Sequence, residues 1–227
     1  MEVDELAERV TEMIKAHSVH NVNFVTPDHF FPHIFRLISL LRRKGCDLPM
    51  VLNTSGYQSI PMLKMAEPFV DIYLPDFKYA DTFLAARFSK CKDYSDVSLA
   101  AISEMIRQKG FLDSFERASP LASKGVLVRH LILPGYVENS INALTTLYLE
   151  FGARLPLSLM SQYTPVRHHQ EESMNRPVTQ VESQRVYNHA LELGFENLFV
   201  QYHGEGAPGE PKDAPFLPDF QKSHPFT

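Results

Sequence analysis

A chain of 227 residues, 44% of them hydrophobic, is long enough for one domain with a sizeable buried core. Its formal net charge is −5, with 22 Lys and Arg interspersed among 27 Asp and Glu, so there is no basic stripe and the expectation is no nucleic-acid and no membrane partner. Only Cys46 and Cys91 are present, which supports neither a disulfide framework nor a multi-cysteine metal site, and no apolar run reaches the roughly 18 to 20 residues of a membrane span. A cytoplasmic protein with no metal ligands of its own is expected.

Val3, Leu6, Val10, Met13 and Ile14 recur at helical spacing behind Glu2, Asp4 and Glu5, which suit a helix amino terminus. Asn21 to Val25 then reads as a short strand ended by Thr26 and Pro27. The stripe Phe31, Ile34, Phe35, Ile38 and Leu41 predicts a helix that closes near Gly45. The unit recurs: Met50 to Asn53 with a short helix after Pro61; Val70 to Leu74 with helices around Phe83 and from Ser95 to Gln108; Val126 to Leu133 with a helix around Ala143 to Leu149. Leu157 to Met160 and Leu198 to Val200 are further strands, with a helix over Val181 to Leu193 between them. Such alternation predicts an α/β fold with a parallel sheet, open or curled into a full or partial barrel.

Phe111 to Lys124 falls outside the rhythm and reads as an insertion, either a functional flap or disorder. From Gly204 the chain turns to Gly, Pro and scattered aromatics, which divides it into a core over residues 1–203 and an irregular tail over 204–227. The opening helix has no strand before it to pack beside, so a segment preceding it is expected.

In parallel α/β folds ligands sit at the carboxyl ends of the strands, and here those ends are polar. Each has an ordinary reading too. Asn53, Ser55 and Gly56 fit a turn, and Asp76 with Lys78 fits a solvated ion pair. His29 and His33 have the spacing of metal ligands but no carboxylate motif beside them, and His168 and His169 lie in a polar loop. Arg129 and His130 are neighbours on a strand and point to opposite faces. Arg129 is expected on the ligand side, since a buried cation needs an anion, either a ligand carboxylate or Asp71 or Asp76.

Taken in order, "NVNFVTPDHF", "VLNTSGY", "VDIYLPDFKY", "VRHLILPG" and "MSQYTPV" resemble the radical S-adenosylmethionine superfamily, in particular proteins like pyruvate formate-lyase-activating enzyme. The likeness runs from about His20 to the "PFLPDF" string at Pro215 to Phe220. It implies a partial (β/α)6 barrel, like a TIM barrel left open, with a [4Fe-4S] cluster and S-adenosylmethionine at the strand ends. There the cofactor is cleaved reductively to a 5′-deoxyadenosyl radical that abstracts hydrogen from a protein or small-molecule substrate. The resemblance places S-adenosylmethionine near Thr26, Asn53, Ser55, Asp76, Lys78, Arg129, the backbone of Leu131, Gln162 and Tyr163.

One departure matters. The family holds its cluster with a CxxxCxxC loop after the first strand, and neither Cys46 nor Cys91 lies in such a segment. The resemblance begins where the helix after that loop is expected, which predicts a core lacking its first strand and cluster loop, inactive alone. A missing strand would leave a sheet edge prone to self-association. The alternatives are a cluster-free barrel that binds S-adenosylmethionine or a partner without catalysis, and an aldolase-like enzyme using Lys78 as a Schiff-base amine.

Overall fold

The computed structural model describes residues 2–117 and 121–201, and in it each predicted strand–helix unit pairs in parallel with the next. α1 (Val3–Ala16) leads into β1 (Val22–Val25), a 3-10 turn (Pro27–His29) and α2 (Phe31–Arg43); β2 (Met50–Thr54) leads into α3 (Ile60–Ala66). β3 (Ile72–Pro75) is followed by α4 (Thr82–Ser89) and α5 (Tyr94–Lys109), then a one-turn α6 (Ser114–Arg117). β4 (Gly125–Val126), β5 (Val128–Leu131), α7 (Val137–Phe151), β6 (Leu157–Met160), a second 3-10 turn (Glu172–Asn175), α8 (Gln180–Leu193) and β7 (Leu198–Gln201) complete the order. Local chemistry fixes several starts: the Asp81 carboxylate accepts from the Phe83 and Leu84 amides, and Thr179 with Glu182 forms a reciprocal capping box ahead of α8.

The single strand expected over Val126 to Leu133 is two. β4 closes a four-stranded sheet in the order β1-β2-β3-β4, while β5 opens a three-stranded sheet in the order β5-β6-β7. Leu127 is the hinge between them, its amide still donating to Tyr73 O at 3.1 Å. A bridge between Asp76 and Arg129, where the Phe77 amide donates to Arg129 O at 2.8 Å, ties the sheets together above that break. Among the described residues β1 and β4 are the edges of the first sheet and β5 and β7 those of the second, and no closed barrel forms. The tail from Gly204, with its "PFLPDF" string, lies outside the described residues.

One face of the sheet carries Leu52, Tyr73, Val126, Val128, Leu157 and Leu159, which join the main core with residues of the covering helices. The other face carries Val51, Ile72, Leu74 and Leu127, and these pack on Leu112, Phe115 and Ala122. The described parts of the insertion, residues 111–117 and 121–124, therefore cover this face, with Phe115 reaching Phe199 of β7 at a ring separation of 4.9 Å. Leu112, Phe115 and Ala122 thus pack on the sheet and do not stand clear of it as a flap, while residues 118–120 lie outside the described residues. No helix among the described residues is long and apolar enough to cross a membrane.

Gly125 joins the insertion to the sheet at a φ of +122°, and a Cβ there would lie 2.4 Å from Phe111 O and 2.5 Å from Leu112 Cα. Gly125→Ala is expected to lower unfolding free energy by at least about 2 kcal/mol, and an unchanged denaturation midpoint would contradict the clamp. A second expectation concerns acid. Glu104 of α5 accepts from Arg107 Nε and Nη2, both at 2.8 Å, and from Gln108 Nε2 at 2.9 Å, which hold its pKa down at about 2 against an ordinary 4.5. Because the folded pKa is the lower one, this contribution is complete above about pH 4.5 and is lost as pH falls toward 2. Glu104→Gln should flatten the acid limb of a stability–pH profile over that window and leave its slope near neutrality alone.

Candidate functional site

Past the ends of β2 and β3 the chain runs as two loops pressed together. Gly56 has a φ of +82°, and a Cβ placed there would lie 1.9 Å from Asp76 O, so only glycine allows this approach. Between the loops sits the Tyr94 hydroxyl, at the start of α5. It lies 2.8 Å from Ser55 O and 2.9 Å from Asp76 O, both acceptors for its one proton, and receives the Lys78 amide at 3.1 Å. Burial pushes the Tyr94 pKa up, so the phenol stays protonated and able to donate.

On this frame stands a three-residue charge cluster. Arg129 Nε and Nη2 both donate to Asp76 Oδ1, at 2.9 and 2.6 Å, while Lys78 Nζ lies 3.4 Å from Asp76 Oδ2. Two cations against one carboxylate leave one positive charge in excess. Arg129 thus lies on the same side as Asp76 and Lys78, and its charge is already met by Asp76, so burial alone does not require a ligand anion. Asp71, the other expected partner, instead pairs with Arg42 Nη2 at 2.7 Å and caps the Met50 amide at 2.8 Å. His130, on the opposite face, is fully buried between Phe77 O and the Ser140 hydroxyl.

A second polar group gathers where β1 and β2 end. Thr26 takes a left-handed backbone, φ 51° and ψ 50°, and its amide donates to Asn53 O at 2.8 Å. Asp28 Oδ1 accepts from the Ser55 hydroxyl at 2.8 Å and from Gln58 Nε2, and Gln58 Nε2 also lies 3.1 Å from Ser55 Oγ. Asp28 Oδ2, Gln58 Oε1 and Thr54 Oγ1 are buried without a hydrogen-bond partner, which is costly for polar oxygens unless something else donates to them. Asp28, Gln58 and Tyr94 were not among the predicted site residues. A turn aspartate and a helix-start tyrosine carry no signal of their own, and only the approach of the two loops gives them a role.

The remaining predicted residues divide. Asn53 lies in β2 opposite Leu74 and Val25, and Leu131 ends β5 opposite Met160. Gln162 is exposed beyond β6, whereas the Tyr163 hydroxyl donates to Met174 O at 2.9 Å and so anchors its own loop. His29 belongs to the first 3-10 turn and His33 to α2, so the two do not share one helix face. Among the described residues no three His, Cys, Asp or Glu side chains converge as a metal site. A groove of about 720 Å³ lies away from the strand ends between α7 and α8, and its polar groups pair with neighbours: Gln184 with Asn188, His189 with Thr145, and Arg185 with Glu138. The strand ends, with their excess charge and unpartnered oxygens, are the better site.

No protein-family model matches the sequence. The chain is 27% identical over 184 residues to MJ0674, an uncharacterized protein of Methanocaldococcus jannaschii, a match covering 80% of this chain and 48% of that protein. The chain thus spans about half the length of the curated relative it matches. Among solved structures it is similar to a domain of pyruvate-formate lyase-activating enzyme from Bacteroides vulgatus, with a TM-score of 0.53 and 14% identity, over 81% of this chain and 100% of that one. At that identity the likeness is one of architecture: the chain has a parallel α/β fold similar to that activating-enzyme domain.

Proposed function

We propose that this chain is the S-adenosylmethionine-binding part of a radical S-adenosylmethionine protein, built as an arc of the partial (β/α)6 barrel. The observation that carries the reading is the pairing, at one end of the sheet, of an excess positive charge with an unpartnered carboxylate oxygen. Asp76, Arg129 and Lys78 supply the first and Asp28 Oδ2 the second, joined through Ser55 and the Tyr94 hydroxyl. A methionine moiety is a zwitterion and needs both. In this reading Lys78 and the outer face of Arg129 meet its carboxylate, Asp28 accepts from its ammonium, and Asn53, with the backbone at Thr26 and Leu131, lines the rest of the cofactor. The buried, unpartnered oxygens of Thr54 and Gln58 support a polar ligand at this end.

A [4Fe-4S] cluster, which supplies the electron for reductive cleavage in this superfamily, does not fit the residues of this chain. Three thiolates are needed, and Cys46 and Cys91 stand after α2 and after α4, on separate elements. No redox step is therefore assigned to these residues, and the hydrogen donor, a protein segment or a small molecule, belongs to the whole assembly. The Schiff-base alternative has less support: Lys78 is partly exposed and ion-paired with Asp76, without the desolvation such an amine requires.

Calorimetric titration tests the binding. S-adenosylmethionine should bind, its decarboxylated analogue about tenfold more weakly, and Arg129→Ala and Asp28→Asn should each lose about tenfold, the scale of one charge-assisted hydrogen bond. No heat at millimolar cofactor would reject the reading. Anaerobic treatment of the purified chain with iron and sulfide should give no [4Fe-4S] spectrum and no 5′-deoxyadenosine; either product would show that this chain assembles the cluster itself.

A further inference from the structure

β3 stops at Pro75, yet the next three residues are held as firmly as a strand. Each of their six backbone polar groups has a partner. The Asp76 amide donates to Thr54 O at 3.0 Å and the Phe77 amide to Arg129 O at 2.8 Å. The Lys78 amide meets the Tyr94 hydroxyl, which also serves Asp76 O. Lys78 O accepts from Asn139 Nδ2 at 2.9 Å, and Phe77 O lies 2.7 Å from His130 Nδ1. The Phe77 ring is fully buried, so Asp76 and Lys78, one residue either side, share the opposite face, where Arg129 meets them.

We propose that His130 is a positioning residue for this site: its Nδ1–H donation to Phe77 O fixes the peptide between Asp76 and Lys78, and so sets the spacing of the charges that receive a ligand carboxylate. The inference rests on the reading above and adds a residue on the far face of the sheet. A carbonyl only accepts, so Nδ1 carries the hydrogen. Burial lowers the His130 pKa and favours the neutral ring, which leaves Nε2 to accept from the Ser140 hydroxyl at 2.9 Å. Consecutive residues of β5 thereby grip Phe77 on both sides, Arg129 through its carbonyl and His130 through its ring. A purely apolar side chain would fill the space in the core but would leave Phe77 O buried without a donor.

The test compares His130→Asn, whose amide nitrogen reproduces the Nδ1 donor, with His130→Gln, whose amide extends to the Nε2 position, and with Ser140→Ala. Two readouts are followed: titration of the Lys78 amine by NMR of reductively 13C-methylated protein, assigned through Lys78→Arg, and S-adenosylmethionine affinity by calorimetry. His130→Asn and Ser140→Ala should match the wild type in both. His130→Gln should shift the Lys78 titration and weaken cofactor binding about tenfold, as for one lost hydrogen bond. Equal behaviour of the Asn and Gln variants would overturn the proposal. Should wild type bind no cofactor, the functional reading fails, and the Lys78 titration still decides the role of His130. Should His130→Gln not fold, the 15N shifts of the wild-type imidazole decide: an Nδ1–H tautomer is expected, and an Nε2–H tautomer would overturn it.

Discussion

The Tyr94 hydroxyl is the contact on which the strand-end geometry depends. A single buried phenol touches Ser55 O, Asp76 O and the Lys78 amide, and so joins two loops that no backbone ladder connects. Parallel pairing of β2 and β3 runs only to Thr54 and Pro75. Beyond that point the backbones still approach closely, as Gly56 against Asp76 O shows, but Ser55 O, Asp76 O and the Lys78 amide turn to a side chain for a partner. Leaving them unmet in a buried setting would cost about 1–3 kcal/mol each, so the loops and the tyrosine stand or fall together. Tyr57 stacks on the Tyr94 ring at 6.0 Å and bonds Asp93, which braces the amino end of α5 against the same loop.

From that contact the electrostatics follow. Asp76 is held where both Arg129 and Lys78 reach it, and half-burial keeps their attraction stronger than it would be on an open surface. Asp76 moderates the two cations without cancelling them. Asp28 lies at the other end of the same chain of bonds, with one oxygen satisfied and one not. A site with opposite charges at its two ends selects for a ligand carrying both signs, whereas a simple anion or a simple cation meets repulsion or an unpaired partner at one end. In the proposed reading, specificity comes from the separation of the charges, which the loops set.

The periodicity made the elements legible. Apolar alternation and caps located six strand positions and the principal helices, and Leu157–Met160 was read with its observed bounds. The break at Leu127 was not legible, because the run from Val126 to Leu133 departs from apolar residues only at Arg129 and His130 and holds no Gly or Pro at the hinge. What divides it is the change of neighbours, from β3 on one side to β6 on the other. At the site, the polar strand ends were visible as residue types, and Asp76 was among the partners expected for Arg129. Tyr94, Gln58 and Asp28 were not, since their roles arise from loops that meet only in three dimensions. The insertion was ambiguous for a related reason: its Leu112 and Phe115 acquire meaning only against the exposed half of the sheet.

Arg129 and His130 show how one strand serves two purposes. Alternation sends the first toward Asp76 and Lys78 and the second into the helix layer, so a charged residue and a buried polar one stand side by side without competing for space. Burying an imidazole there is costly unless both nitrogens are used, and both are. The layer beneath therefore acts on the opposite face through the backbone: His130 holds Phe77 O and Asn139 of α7 holds Lys78 O, these fix the segment after Pro75, and that segment presents Asp76 and Lys78. The placement of Asp76 and Lys78 at the strand ends is governed in this way by packing beneath it.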